Sequence, residues 1–207
     1  MNEIESALKR AAERLPGEPP ATLDDALVAR AADEGLLDVA YSSVDSPVGP
    51  LTVAATRRGL IRISFPQFSQ ETVVEELARD VSPRVLEAPE RLDEVRRELD
   101  EYFEGKRREF DLPLDWSLTR GFYRKVLRET ARIGYGHVRT YADVAKRAES
   151  PRAVRATGSA LGSNPIPVVV PCHRVVRTGG GMGGYGGGLE VKEYLLGLEG
   201  GLPDSER

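Results

Sequence analysis

The chain has 207 residues, 40% of them apolar, enough to bury a core in one large domain or two small ones. One cysteine, Cys172, excludes an intramolecular disulfide, and with only His137 and His173 beside it no Cys/His zinc cluster can form, although a carboxylate-based metal site stays open. The acidic start leads into no uninterrupted apolar segment and no run approaches the ~18 apolar residues of a membrane span; a soluble, cytoplasmic protein without membrane contact is expected, and the net charge of -4 points weakly away from nucleic acid.

Residues 1–38 read as an appendage. Ile4, Leu8, Ala11 and Leu15 recur at helical spacing until Pro16-Gly17, Pro19-Pro20 makes a stiff joint, and a second helix is expected from Thr22 to about Gly35. A helical pair packed on the body and an arm that docks a protein partner fit this pattern equally.

From Val39 the period changes. Val39 to Val44, Leu51 to Ala55 and Leu60 to Phe65 are β-prone runs separated by Ser46-Pro47-Val48-Gly49-Pro50 and Arg57-Arg58-Gly59, which suits an antiparallel meander. Two amphipathic segments follow, marked by Val73, Val74 and Leu77 and by Leu92, Val95, Leu99, Tyr102 and Phe103; both read as packing faces. Phe110 to Pro113 is expected as an edge strand, and Pro113 to Thr119 as the joint between a domain at 39–116 and another at 117–207.

The second half is mainly helical. Phe122, Val126 and Leu127 mark one helix; Tyr141 to Ala148 and Arg152 to Leu161 form two short ones around Glu149-Ser150-Pro151, the spacing of a helix-turn-helix. Residues 117–178 carry 12 basic side chains against 3 acidic ones, whereas each flanking segment is net acidic. A basic stretch bracketed in this way is the footprint of a phosphate-facing surface, and a solvated helical face has the same composition.

Asn164-Pro165-Ile166-Pro167-Val168-Val169-Val170-Pro171-Cys172-His173-Arg174-Val175 sets prolines around a buried β-branched run, which fixes the backbone at Cys172. His173 and Arg174 supply positive charge and a proton acceptor, conditions that lower a thiol pKa. Adjacent residues do not face the same way, so His173 is expected to reach the thiol through a bridging water. The segment Thr178 to Leu189 then holds eight glycines in twelve positions, a loop able to wrap a planar base with backbone groups. It matches neither a phosphate-binding loop nor a dinucleotide fingerprint. From Val191 helical spacing resumes and carries Glu199 near a helix end.

Pro171-Cys172-His173-Arg174-Val175, preceded by Asn164-Pro165 and followed by Tyr185, Gly187-Gly188-Leu189 and Lys192-Glu193-Tyr194-Leu195-Leu196 up to Glu199-Gly200, resembles the O6-alkylguanine-DNA alkyltransferase family over residues 117–201; Ser46-Pro47-Val48-Gly49-Pro50-Leu51 resembles the start of its N-terminal domain. The resemblance implies an α+β fold: an N-terminal antiparallel sheet with helices, RNase H-like, and a C-terminal helical domain with a helix-turn-helix of the winged-helix type. It implies irreversible, single-turnover transfer of an alkyl group from O6-alkylguanine, and from O4-alkylthymine, in double-stranded DNA onto Cys172, without a cofactor or metal.

By the same resemblance His173 is the water-linked base, Glu199 the carboxylate that orients it, and Asn164 the brace of the turn. Tyr141 assists nucleotide rotation, and Arg155 fills the stack left by the flipped base. Ala153, Ala156, Gly158 and Ser159 present a small-residue face to the minor groove, with Arg174 added to the DNA contacts; Tyr185, Gly186, Gly187 and Val175 form the base pocket. Gly186 stands where relatives place a larger residue, which suggests room for alkyl groups beyond methyl. A lesion sensor that flips the base without reacting is the alternative, disfavoured by the presence of Cys172.

Overall fold

The computed structural model describes Arg30 and residues 37–201; the helices expected before Leu37 lie outside the described residues. Two compact units divide the chain after Leu37, and the rest of this description concerns the second.

Strands β1 (Val39–Val44), β2 (Leu51–Thr56) and β3 (Gly59–Ser64) form the expected meander. β1 and β2 pair without interruption, whereas β2 and β3 shift register between Ala54 and Ala55, so that Arg62 faces Ala54 while Leu60 faces Ala55. Ile61 is the extra residue of this bulge. It therefore joins Val39, Ala54, Val73 and Leu77 in a small cluster on one side of the sheet, while Leu60 and Ile63 share the main core on the other.

Helix α1 (Gln70–Asp80) is capped by Ser69, whose hydroxyl accepts from the Thr72 amide, and buries Val73 and Leu77. It carries the chain across the sheet to β4 (Val85–Glu87), which pairs parallel with β1 and completes the order β3-β2-β1-β4. The sequence pattern missed this strand, since three residues carry no readable period. After a 3-10 turn at Pro89–Leu92, helix α2 (Asp93–Phe103) buries Val95, Leu99, Tyr102 and Phe103 against the main core.

The edge strand expected at Phe110 to Pro113 is absent. The linker meets β3 at one bridge, Leu60 with Leu114, flanked by the Leu60 amide on the Pro113 carbonyl and the Asp115 amide on the Leu60 carbonyl, both 2.8 Å. The prolyl nitrogen of Pro113 has no hydrogen to donate, so the ladder cannot extend through it. Farther along the same edge, the Ile63 amide donates to the Pro165 carbonyl at 2.8 Å. The open edge of the sheet is thus closed by the linker at one end and by the loop that leads to Cys172 at the other.

The second half contains α3 (Gly121–Thr130), a two-residue strand β5 (Arg139–Thr140), α4 (Tyr141–Arg147), α5 (Val154–Gly162), β6 (Val175–Val176) and α6 (Leu189–Leu198). Helices α4 and α5 form the expected pair, and β5 and β6 pair in parallel. The main apolar cluster runs from Leu51, Val53 and Leu99 to Val126, Val144, Ile166 and Leu195, so both halves share one core. Among the described residues no helix is long and apolar enough to cross a membrane.

Asp115 anchors the joint: it is buried and accepts from the Thr56 hydroxyl at 2.6 Å, the Ser117 amide at 3.0 Å and Arg58 at 3.0 Å. Burial pulls its pKa up, but the Thr56 and Ser117 bonds prevail and hold it below the ordinary value. Asp115→Ala strands these donors, and urea denaturation is expected to register a loss of about 1–3 kcal/mol.

Candidate active site

Cys172 opens a 3-10 turn, Cys172–Arg174, at the end of the proline-framed run. Its backbone is fixed from two directions. The Asn164 side chain accepts from the Ile166 amide at 3.1 Å and donates to the Val170 carbonyl at 2.8 Å and to the Cys172 sulfur at 3.1 Å. Between those anchors the buried Val168 is held at φ 72°, a left-handed conformation that a β-branched residue rarely adopts. On the far side β6 follows directly and pairs with β5, whose Thr140 forms a reciprocal capping box with Asp143 at the start of α4. One short ladder therefore sets Tyr141, the first residue of α4, relative to Cys172.

His173 is fully buried, and its Nε2 lies 2.9 Å from Glu199 Oε1. Glu199 caps α6 and is surrounded by donors. Arg174 reaches both of its oxygens, with Nε on Oε2 and Nη2 on Oε1, each at 2.8 Å. The Tyr102 hydroxyl donates to Oε1 at 2.6 Å and the Gly136 amide to Oε2 at 3.4 Å. Burial would raise the Glu199 pKa, but His173 and Arg174 prevail and bring it down to about 2. An ionised carboxylate only accepts, so the hydrogen sits on His173 Nε2 and Nδ1 keeps its lone pair. Nδ1 has no protein hydrogen-bond partner and burial lowers the His173 pKa, so the ring rests neutral with a free acceptor.

Two expectations are corrected. Arg174 was expected among the DNA contacts, but it is buried, spans Glu199 and donates from Nη1 to the Ile133 carbonyl, so its charge is spent inside the protein. The basic neighbourhood was expected to lower the thiol pKa, but burial, only partly opposed by the Asn164 amide and the Lys192 charge, pushes Cys172 up to about 11. Arg174 cannot help the thiolate because Glu199 neutralises it, and His173 is uncharged.

A cavity of about 540 Å³ opens on the thiol, lined by Tyr141, by Val154, Gly158 and Leu161 of α5, by Arg177, and by Gly183 to Gly186. Tyr141, Gly158, Tyr185 and Gly186 are thus brought together with Cys172. Gly183 has positive φ, and a Cβ there would lie 2.6 Å from the Tyr141 hydroxyl, so the loop approaches the tyrosine only as glycine. Gly187 packs on Phe65, where a Cβ would lie 2.9 Å from the ring. Val175 does not line this cavity; it is fully buried, and its carbonyl accepts from Lys192 Nζ at 2.6 Å. Arg155 and Ser159 are exposed on α5, with Ala153 and Ala156 half-buried beside them.

The sequence reading gives Tyr102, Lys192 and Arg177 no role at the site. Tyr102 lies in a stripe read as packing, yet a buried tyrosine needs a partner for its hydroxyl, which was the available signal. Lys192 sits three and four residues before Leu195 and Leu196, on the buried face of α6; its ammonium also donates to the Met182 carbonyl. Burial brings its pKa down to about 8. Among the described residues no group of three or more His, Cys, Asp and Glu side chains is placed to hold a metal.

Fold and site together define a protein built around one buried cysteine, backed by a histidine–carboxylate pair and opening beneath a helix-turn-helix. Residues 39–116 match the 6-O-methylguanine DNA methyltransferase ribonuclease-like domain and residues 121–201 the DNA binding domain of the same family. A methylated-DNA–protein-cysteine methyltransferase of Methanosarcina acetivorans is 37% identical over 160 residues, 77% of this chain and 97% of that protein; one from Mycolicibacterium paratuberculosis is 39% identical over 163 residues, 78% and 92%. The O6-methylguanine methyltransferase structure of Mycobacterium tuberculosis is similar at TM-score 0.67 and 35% identity, covering 81% of this chain and 96% of that one. With both halves matched in order, this chain belongs to the 6-O-methylguanine DNA methyltransferase family.

Glu199→Gln leaves Arg174 buried without its counter-ion and is expected to cost about 3–5 kcal/mol in chemical denaturation at neutral pH. The carboxyl moves from an ordinary 4.5 down to about 2 on folding, so its contribution is complete above pH 4.5 and is lost as pH falls toward 2; the gap between the two proteins narrows at pH 3. For the thiol, labelling by a small neutral haloacetamide is expected to climb through pH 11 rather than pH 9.

Proposed function

We propose that this protein reverses alkylation of DNA directly, taking the alkyl group from O6 of guanine, and from O4 of thymine, onto Cys172 once per chain. The observation that carries this reading is the thiol at the wall of a base-sized cavity with the neutral His173 and ionised Glu199 behind it. The relatives' names and a Mycobacterium tuberculosis structure in complex with DNA, 36% identical at TM-score 0.67, support DNA as the substrate.

DNA meets the face of α5, where Arg155 and Ser159 are exposed and the small residues Ala153, Ala156 and Gly158 permit close approach to the minor groove. Of the 12 basic residues in 117–178, only Arg124 and Arg174 are not exposed, so phosphate contacts supply sequence-independent affinity. The damaged nucleotide rotates into the cavity past Tyr141, and Arg155 takes its place in the stack. His173 Nδ1 accepts the thiol proton through one water. Sulfur attacks the alkyl carbon in line with O6: the S–C bond forms, the O6–C bond breaks and its electron pair leaves with O6. Guanine regains its carbonyl and takes up the proton that left the thiol. Lys192 stabilises the thiolate as it forms, since its positive charge favours an ionised Cys172.

Incubation with an oligonucleotide containing O6-methylguanine is expected to add the mass of one methyl per chain, on Cys172, with none on Cys172→Ala. Tight lesion binding at unchanged mass identifies a sensor instead. Arg155→Ala is expected to slow transfer from duplex DNA about tenfold or more while transfer from the free alkylated base is unaffected; equal slowing on both removes Arg155 from base flipping.

A further inference from the structure

Cys172 lines two cavities. Besides the one proposed to take the base, a second of about 280 Å³ also borders the thiol, bounded by Leu161 to Asn164, Pro167 and Gly186 and, from the first half of the chain, by Arg62 to Phe65, Phe68 and Glu76. Gly186 borders both, and a Cβ placed there would meet nothing within 4 Å, so no side chain divides them at this point. The loop is held in this position by Gln67, whose amide donates to the Gly186 carbonyl at 2.5 Å, and by the packing of Gly187 on Phe65.

The second cavity has both apolar and charged lining. Its apolar lining comes from Pro167, Leu161, Ile63, Phe65 and Phe68, and Asn164 meets the sulfur at 3.1 Å; its charged lining is Arg62, whose Nε donates to Ser64 Oγ at 2.9 Å and whose Nη2 donates to Glu76 Oε2 at 2.7 Å. Those side chains are only 23% and 36% exposed. The pair is neutral as a whole and retains unused donors on Arg62 and acceptor capacity on Glu76.

In-line displacement puts sulfur, the reacting carbon and O6 on one axis, so any remainder of the alkyl group must leave that axis sideways. The base fills the first cavity, and the second is the space that remains beside the thiol. We propose that the second cavity receives the body of a long O6-alkyl group, and that the Arg62–Glu76 pair selects chains ending in a neutral hydrogen-bonding group such as a hydroxyl. At about 30 Å³ per water-sized group, a five-atom hydroxybutyl chain needs on the order of 150 Å³, within the space available. A hydroxyl can accept from Arg62 and donate to Glu76, whereas a plain butyl end covers the ion pair without replacing its lost hydration. A charged end is attracted by one member of the pair and repelled by the other, so it gains little net attraction to set against its own lost hydration.

The inference rests on the alkyl-transfer reading, and the test separates the two. Oligonucleotides carrying O6-methyl-, O6-butyl- and O6-(4-hydroxybutyl)guanine are each mixed with the full chain, and transfer rates are read by intact mass. The hydroxybutyl group is expected to move at least fivefold faster than butyl. In Arg62→Leu/Glu76→Leu the ratio should fall to one or below while the methyl rate stays within twofold. Ser163→Trp, an exposed position at the cavity wall, should slow both four-carbon substrates tenfold and spare methyl. Failure of methyl transfer in the unaltered protein overturns the alkyl-transfer reading. Normal methyl transfer with a hydroxybutyl-to-butyl ratio near one, or a ratio unchanged in the double variant, overturns the proposal for the second cavity.

Discussion

Glu199 lies behind the reactive segment as a buried carboxylate that accepts from His173, Nε and Nη2 of Arg174, the Tyr102 hydroxyl and the Gly136 amide. An isolated charge in such a place costs several kcal/mol, and the donors around it are what keep it ionised. Its ionisation then fixes everything in front of it. The hydrogen of His173 must face Glu199, so the other ring nitrogen is a free acceptor, and the positive charge of Arg174 is cancelled before it can reach the thiol. Tyr102 comes from α2 in the first half of the chain, so the surroundings of this carboxylate depend on both halves being packed together.

The same dependence holds on the other side of the cysteine. The Pro165 carbonyl covers the edge of β3, and Phe65 and Gln67 just beyond that strand hold the glycine loop over the site. The sheet therefore acts as a support for the reactive segment as well as a packing layer. Burial raises the pKa of the resulting thiol to about 11, so little of it is thiolate at neutral pH. His173, the base proposed to activate it, is oriented by its hydrogen bond to Glu199.

Charge is distributed to match. The whole chain is acidic, yet the basic residues of 117–178 are nearly all at the surface of the helical half. Arg174 is the informative exception: by sequence it is one more cation next to the active cysteine, and by position it is the internal counter-ion of Glu199.

Local chemistry made a large part of this legible. The three meander strands, the two helices after Tyr141 and the cysteine with its proline frame were all readable from short-range pattern, because alternation, helical spacing and turn residues act within a few positions. The family resemblance added Glu199, which no local pattern ties to His173. Strand β4 escaped because its pairing with β1 is parallel and reached only through α1, and the Phe110 segment misled because Pro113 has no amide hydrogen, which limits its pairing on the β3 edge to the one bridge at Leu114. Burial decided the rest. It turned a cysteine beside two basic residues into a high-pKa thiol, committed Arg174 to the interior, and gave polar partners to Tyr102, in a stripe that reads as packing, and to Lys192, on the buried face of α6. Sequence determined which groups are present and in what order; the tertiary structure alone determined their solvation and their partners, and the charge state of each group follows from those two.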